Sequence, residues 1–478
     1  MSFIGIDLGT SSLKAILINE DQDVLAEHTV PLTVERLHDG WSEQNPQSWC
    51  DAAVTALQKL AQHPASNDLK GIGLSGHMHG ATFVGTDGSA LRPCMLWNDV
   101  RSFAEAAEMD AQPQFRDISG NIVFPGFTAP KVEWVRRHEP KIFDEAAKIL
   151  LPKDYLRFFL TGDYVSEMSD AAGTSWLDTG KRDWSNDLLT ACALTRAHMP
   201  SLVEGSAPSG QLRATLAQDI GLPVCVVAGG GGDNASAAIG AGVVKDGTAF
   251  LSLGTSGVLF AANGGYRPSP STAIHTFCHA LPETWHQMGV ILAATDALEW
   301  LARLTGKNAA ELTKNLGDVR PPGKTLFLPY LSGERTPHND AAIRGQFLHL
   351  EQSTDATEAA RAVLQGVSFA FADCRDALAE TGTELTRALV LGGGSKSAHW
   401  VSMLASTLDI TLDVPAAGDF GAALGAARLG MMAGAGAGDD VAYQPEIACS
   451  AEPHAPLAEN MSQAHARYKE AYQVLKEF

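Results

Sequence analysis

Residues 3–18, Phe3-Ile4-Gly5-Ile6-Asp7-Leu8-Gly9-Thr10-Ser11-Ser12-Leu13-Lys14-Ala15-Ile16-Leu17-Ile18, read as a strand, a tight turn and a second strand. The first apolar run ends on a carboxylate, a glycine and three hydroxyl residues, and nothing in a core strand calls for Asp7. Backbone N–H groups of such a turn bind phosphate. Asp7 beside them suits a divalent cation, because hard cations take oxygen ligands and keep several waters near phosphates. Taken alone, the stretch is equally well an ordinary glycine-containing hairpin. A second copy shifts the balance: Ala249-Phe250-Leu251-Ser252-Leu253-Gly254-Thr255-Ser256-Gly257-Val258-Leu259-Phe260 again sets Leu-Gly-Thr-Ser between two strands. Two copies of one hairpin predict two similar halves, each offering a phosphate turn, with one nucleotide between them.

The chain's 478 residues suffice for two or three domains with large cores. A formal net charge of −20 argues against nucleic acid or an anionic membrane as partner, since both need a basic footprint. Seven cysteines without a C-x-x-C pair fit no closed disulfide framework, which points to a reducing, cytoplasmic compartment. Asp7 interrupts the first apolar run, so no leader pattern is expected, and no stretch of ~20 apolar residues could span a bilayer.

Beyond the first hairpin, short strands are expected at 24–26 and 29–32. Asn45-Pro46 then opens a helix with Trp49, Ala53, Leu57 and Leu60 as its buried stripe. Trp41-Ser42-Glu43-Gln44 is either a loop at a substrate cleft or the lead-in to that helix. Gly71-Ile72-Gly73-Leu74-Ser75-Gly76 matches the dinucleotide pattern G-x-G-x-x-G formally, but a strand rather than a helix follows, so the match is rejected. The stretch reads as a strand ending at Ser75–Gly80, with His79 suited to hydrogen-bond a polyol. His77 and His79 lack a third metal ligand nearby. Leu91–Leu96 is expected as a strand closed by Trp97-Asn98-Asp99, an aromatic wall with polar groups that fits a sugar site and equally a capped turn.

Val224–Ala228 predicts a buried strand running into Gly229-Gly230-Gly231-Gly232-Asp233-Asn234 and a helix rich in Ala and Gly. Four glycines let the backbone approach a ligand, and Asp233 is expected as the helix cap. A similar small-residue helix recurs at Asp419-Phe420-Gly421-Ala422-Ala423-Leu424-Gly425-Ala426-Ala427, again one per half. His275-Thr276-Phe277-Cys278-His279 reads as strand with structural roles. Pro329-Tyr330-Leu331-Ser332-Gly333-Glu334-Arg335-Thr336-Pro337 reads as a loop whose Glu-Arg pair braces a cleft wall. Ala388–Leu391 leads into Gly392-Gly393-Gly394 and the helix 398–408, a bare turn and helix N-terminus suited to a nucleotide.

Together the paired hairpins, the paired small-residue helices and the 392–394 turn resemble the actin-like superfamily of sugar kinases and Hsp70 ATPases. Met78-His79-Gly80, Leu96-Trp97-Asn98-Asp99, Gly230–Ala235 and Pro329–Pro337 are similar to the FGGY carbohydrate kinases within it, as are Trp41–Gln44 and Ser169-Asp170-Ala171-Ala172-Gly173-Thr174. The resemblance implies an α/β protein of two actin-like, ribonuclease H-like domains of duplicated topology, residues 1–244 and 245–478, with the cleft between them. It implies ATP-dependent phosphorylation of a small sugar, D-xylulose, with ribulose, fuculose, gluconate and glycerol as the alternatives. Asp233 would be the base on the sugar hydroxyl. Met78, His79, Trp97, Asp99, Asp233 and Asn234 would bind the sugar, and Asp7 with Asp233 would hold Mg²⁺. Thr10, Ser11, Gly254, Thr255, Gly392, Gly393, Gly394 and Ser397 would hold ATP. A homodimer is compatible with the resemblance, which implies no nucleic-acid or membrane partner. His77 stands where these kinases often carry Gln. The rivals are a non-catalytic actin-fold ATPase or sugar sensor, and a dinucleotide oxidoreductase resting on Gly71–Gly76 alone.

Overall fold

The computed structural model describes residues 1–416 and 421–477. Its first sheet begins with the expected hairpin, β1 (Ser2–Leu8) and β2 (Ser12–Asn19), whose register runs from Ser2 opposite Asn19 to Leu8 opposite Leu13. The two short strands expected next are one, β3 (Val24–Pro31), antiparallel to β2. Helix α1 (Pro46–Leu60) starts where the sequence places it: the Asn45 side chain accepts from Gln47 N at 3.0 Å, Pro46 fills the first turn, and Trp49, Ala53, Leu57 and Leu60 are buried. Strand β4 (Leu69–Gly76) joins β1 in parallel, which disposes of the dinucleotide pattern. The expected strand at 91–96 shrinks to Cys94–Met95.

Strands β5 (Pro208–Gln211), β6 (Val226–Ala228) and the two-residue β7 (Gly231–Gly232) complete the sheet, in the order β5-β6-β4-β1-β2-β3 with β7 paired to β4 beyond β6. Helix α2 (Asp233–Ala241) then leads to the second sheet. Its strands are β8 (Ala249–Leu253), β9 (Gly257–Asn263), β10 (His275–Cys278), β11 (Trp285–Ile291), β12 (Arg387–Leu391), β13 (Thr411–Pro415) and β14 (Ile447–Ala451). They lie in the order β10-β11-β9-β8-β12-β13-β14. An antiparallel meander, two parallel strands and an antiparallel edge strand occur in both sheets, so the duplication read from two hairpins extends to the sheet topology.

Helices α4 (Ala356–Ala379) and α5 (Ala398–Leu408) cover the second sheet, with α3 (Thr295–Thr305) packed on α4 and α7 (Ala455–Leu475) on α4 and α5, while α6 (Ala422–Ala435) lies on the first. Glycine in β1 and β4 makes that possible: a Cβ on Gly73 would fall 1.7 Å from Ala426 O, and one on Gly5 1.9 Å from Ala423 O. Helices α2 and α6 cross equally closely, a Cβ on Gly425 falling 1.7 Å from Ser236 O. The pairing of small-residue helices is therefore direct contact of main chain with main chain. Asp419 and Phe420, expected at the start of the later one, lie outside the described residues. Among those described, no helix is long and apolar enough to cross a membrane.

Candidate active site

A cavity of about 360 Å³ opens between the two sheets, an ordinary size for a small-molecule site. The register of the first sheet brings the carboxylates together: Asp7 on β1 lies opposite Ser75 on β4, and Ser75 lies opposite Gly231 on β7, two residues before Asp233. In the second hairpin Ser252 stands where the first carries Asp7, so only the first offers a carboxylate.

The glycine run that delivers Asp233 is held on both sides. Gly230 has φ +77°, and a Cβ there would fall 2.1 Å from Leu74 O. The buried Arg157 guanidinium donates to Gly229 O, and Ser169 Oγ accepts from Gly232 N at 3.0 Å. Gly232, not Asp233, occupies the cap position of α2. Asp233 is the first helical residue, its Oδ1 accepting from Asn234 N at 2.7 Å and Asn234 Nδ2 at 2.9 Å. Among the described residues Oδ2 makes no hydrogen bond. Burial pushes the Asp233 carboxyl up to about 6, and the charge of Asp7 adds to the rise.

Met78, His79, Trp97, Asp233 and Asn234 all line the cavity. His79 has φ +69°, stacks on Phe127 with centroids 4.4 Å apart, and sets Nδ1 2.7 Å from Gly173 O. A carbonyl only accepts, so Nδ1 carries the proton and Nε2 is left as an acceptor for a hydroxyl. Burial holds this imidazole down to about 3, hence neutral. Trp97 is 47% exposed, and its Nε1 donates to Thr10 Oγ1 at 3.0 Å, tying the aromatic wall to the first phosphate turn.

Asp99 corrects the sequence reading. It is fully buried away from the cavity, accepting from Ser42 N at 2.7 Å and from Arg101 Nη2 at 2.6 Å. Polar residues closing a strand look alike in sequence whether they face a ligand or a neighbouring arginine. Trp41 stacks on that same Arg101, and Gln44 Nε2 donates to Thr10 O at 2.7 Å, so 41–44 braces the turn from behind.

The opposite side of the cleft carries the second set of turns. Ser252 on β8 lies opposite Leu391 on β12, which sets Gly254-Thr255 beside Gly392–Gly394. Thr295 N and Oγ1, at the start of α3, both donate to Gly254 O at 2.9 Å. Gly392 has φ +89°, and a Cβ there would fall 2.8 Å from Leu253 O. A Cβ on Gly393 would meet nothing within 4 Å, leaving open backbone. Ser397 Oγ accepts from Trp400 N at 3.3 Å and caps α5, and Ser11 is exposed in the first turn.

Arg335 lines the cavity, on the loop expected to brace a cleft wall, while the sequence reading missed Phe124, Phe127, His275 and Phe277, which line it from segments far apart in the chain. His275 and Phe277 alternate on β10 toward the cavity, a period-2 signal present in the sequence; the phenylalanines at 124 and 127 carry none.

Duplicated sheets that face phosphate-type turns across a sugar-sized cavity define a two-lobed phosphotransferase. Residues 2–240 match the N-terminal domain of the FGGY family of carbohydrate kinases, and residues 249–434 match its C-terminal domain. The chain is 48% identical over 434 residues, 90% of each chain, to the xylulose kinase of Escherichia coli K12. It superposes with TM-score 0.98 and 53% identity on a "xyloylose kinase" from Brucella ovis, covering 99% of both chains. On a xylulose kinase from Rhodospirillum rubrum it superposes with TM-score 0.94 and 27% identity, covering 100% of this chain and 99% of that one. The chain belongs to the FGGY family of carbohydrate kinases. It is an enzyme, a sugar kinase, and the family implies ATP as its phosphoryl donor.

Proposed function

We propose that this enzyme transfers the γ-phosphoryl group of ATP to the terminal hydroxyl of D-xylulose, giving D-xylulose 5-phosphate, with Asp233 as the base. The similarity to xylulose kinases supports the sugar. The observation that carries the mechanism is Asp233 itself: a cavity carboxylate with one oxygen spent on its own helix and one unbonded, in a turn clamped by Arg157 and Ser169. In this reading residues 1–244 supply Met78, His79 and Asp233 to the sugar pocket, and residues 245–478 supply its facing wall together with the second phosphate turn and the glycine turn for the nucleotide.

Phosphoryl transfer runs through a loose transition state that asks for alignment and charge neutralisation more than for a strong base. Asp233, with its carboxyl near 6, is ionised at neutral pH and takes the hydroxyl proton late, as that oxygen bonds to phosphorus and ADP leaves. His79 Nε2 accepts from a second hydroxyl and fixes the sugar's orientation. The turns at Thr10-Ser11, Gly254-Thr255 and Gly392–Gly394 would face the phosphates, with Ser397 at the head of α5.

The Asp pair fits Mg²⁺: two hard oxygen donors approach each other in a buried setting that already strains one of them toward protonation. Asp7 and Asp233 would hold the ion, which would supply charge neutralisation at the nucleotide phosphates.

ADP release with Mg-ATP across D-xylulose, D- and L-ribulose, L-fuculose, gluconate, glycerol and no sugar tests the assignment. Strong turnover on D-xylulose alone is expected; turnover on a different sugar reassigns the substrate, and release indifferent to sugar overturns the kinase mechanism.

A further inference from the structure

Arg335 enters the cavity from a loop that is firmly seated. Thr336 N donates to Val290 O at 3.0 Å, and Val290 N donates back to Thr336 Oγ1 at 3.0 Å. Glu334 Oε1 accepts from Leu292 N at 3.0 Å and from Arg335 N at 2.7 Å. The loop is thus pinned to β11 on both sides of Arg335. The guanidinium lies over the Phe124 ring, 4.6 Å from its centroid. Among the described residues it makes no hydrogen bond and no ion pair. The neighbouring Glu334, whose carboxyl burial pushes up to about 8, spends Oε1 on the backbone N–H groups of Leu292 and Arg335 instead of on the guanidinium. The half-buried guanidinium keeps its N–H donors unspent at the cavity wall, where an acceptor oxygen can meet them.

The donor and acceptor census of the cavity says what that is. Asp233 and His79 Nε2 accept, and therefore suit hydroxyl groups. Trp97 Nε1 is committed to Thr10 and one of the two Asn234 Nδ2 protons to Asp233, while neutral His275 offers one donor and one acceptor. Ser252 and Ser256 both donate and accept. Among the described residues, Arg335 is the donor-only side chain in the cavity wall with its donors unspent. An open-chain ketose carries one oxygen that can only accept, the carbonyl at C2.

We infer that Arg335 binds the ketose carbonyl oxygen and is the residue by which this cavity selects a ketose over the corresponding alditol. The same donors hold a carboxylate, so an aldonate of matching length binds as a competitive inhibitor against the sugar. The inference rests on the sugar-kinase reading of the same cavity. Because the contact is made in ground state and transition state alike, its loss raises KM and leaves kcat nearly unchanged.

Steady-state kinetics of the full chain decide it, with D-xylulose and xylitol as substrates and D-xylonate as inhibitor. Arg335→Gln is expected to raise the D-xylulose KM about 10- to 100-fold, with kcat and the ATP KM within a few-fold. The kcat/KM preference for D-xylulose over xylitol falls by the same factor, and D-xylonate inhibition weakens about 10-fold or more. Arg335→Lys, which keeps the charge, recovers part of each effect, and D-xylonate binding by calorimetry on this variant gives a readout independent of turnover. Unchanged KM, preference and D-xylonate inhibition in a variant that melts with the parent overturn the inference while leaving the kinase intact. If the parent enzyme prefers another ketose, the D-xylulose assignment falls, and the same comparison with that ketose, its alditol and its aldonate decides the role of Arg335. A preference for glycerol or another polyol overturns both.

Discussion

Replacing Asp233 with Asn separates catalysis from stability. The Asp233 carboxyl stands near 6 instead of its ordinary 3.8, burial being the larger cause and Asp7 the smaller. In the folded state it therefore binds a proton more tightly than in the unfolded chain, so stability is lost as pH rises from about 4 through about 6. At 1.36 kcal/mol per tenfold in proton affinity, the ionised carboxylate costs on the order of 3 kcal/mol above pH 6 and nothing below about pH 4. Asparagine keeps an oxygen to accept from Asn234 N and carries no charge. Asp233→Asn should thus lower kcat about 10²- to 10⁴-fold while raising the unfolding midpoint at pH 7. The stabilisation should shrink toward zero as pH falls to 4, and the parent's kcat/KM should itself fall below about pH 6. Denaturant and thermal unfolding of both proteins between pH 4 and 8, with and without Mg²⁺, measure it, with Mg²⁺ stabilising the parent more than the variant. A stability difference that does not change with pH would refute the account of Asp233 as a buried charge beside a second carboxylate; near-normal turnover would remove it as the base.

Three further outcomes follow from geometry already described. His79→Ala removes a neutral acceptor and should raise the sugar KM about 3- to 10-fold with kcat largely kept, and an unchanged KM would move the sugar elsewhere. Gly392→Ala puts a Cβ 2.8 Å from Leu253 O at φ +89°, so the ATP KM should rise about 10-fold or more while sugar binding, read by calorimetry, is unaffected. Gly73→Ala drives a Cβ into Ala426 O and should cost on the order of 3 kcal/mol or more, seen as lost soluble yield and a lowered melting point; a variant that melts like the parent would contradict the close seating of α6.

The two hairpins were legible because their information is local: period-2 apolar runs broken by Leu-Gly-Thr-Ser fix strand, turn and strand within twelve residues. Helix α1 was legible for the same reason, its cap, first-turn proline and stripe all lying within one segment. Asp233 stood out because four glycines are more than a helix start needs. What escaped is assembled in three dimensions. Arg335 and Phe124 are 211 positions apart in the chain and meet only when the sheets face each other. Asp99 sits in the same strand-end context as Trp97, yet one side chain reaches the cavity and the other turns to Arg101. The pattern Gly71-Ile72-Gly73 looks like a phosphate loop, and its glycines serve instead to seat a helix some 350 positions later.

That seating has a consequence for how the protein is made. The glycine-lined face of β1 and β4 is shaped to receive bare helix backbone, and that helix, α6, leaves the ribosome after almost every strand of both sheets. A nascent chain that has emerged only through α2 therefore presents a completed sheet order with one face uncovered, and it cannot reach its final packing until Ala435 is out. The amino-terminal half expressed by itself would therefore leave the glycine-lined face of β1 and β4 without the helix it is shaped to receive.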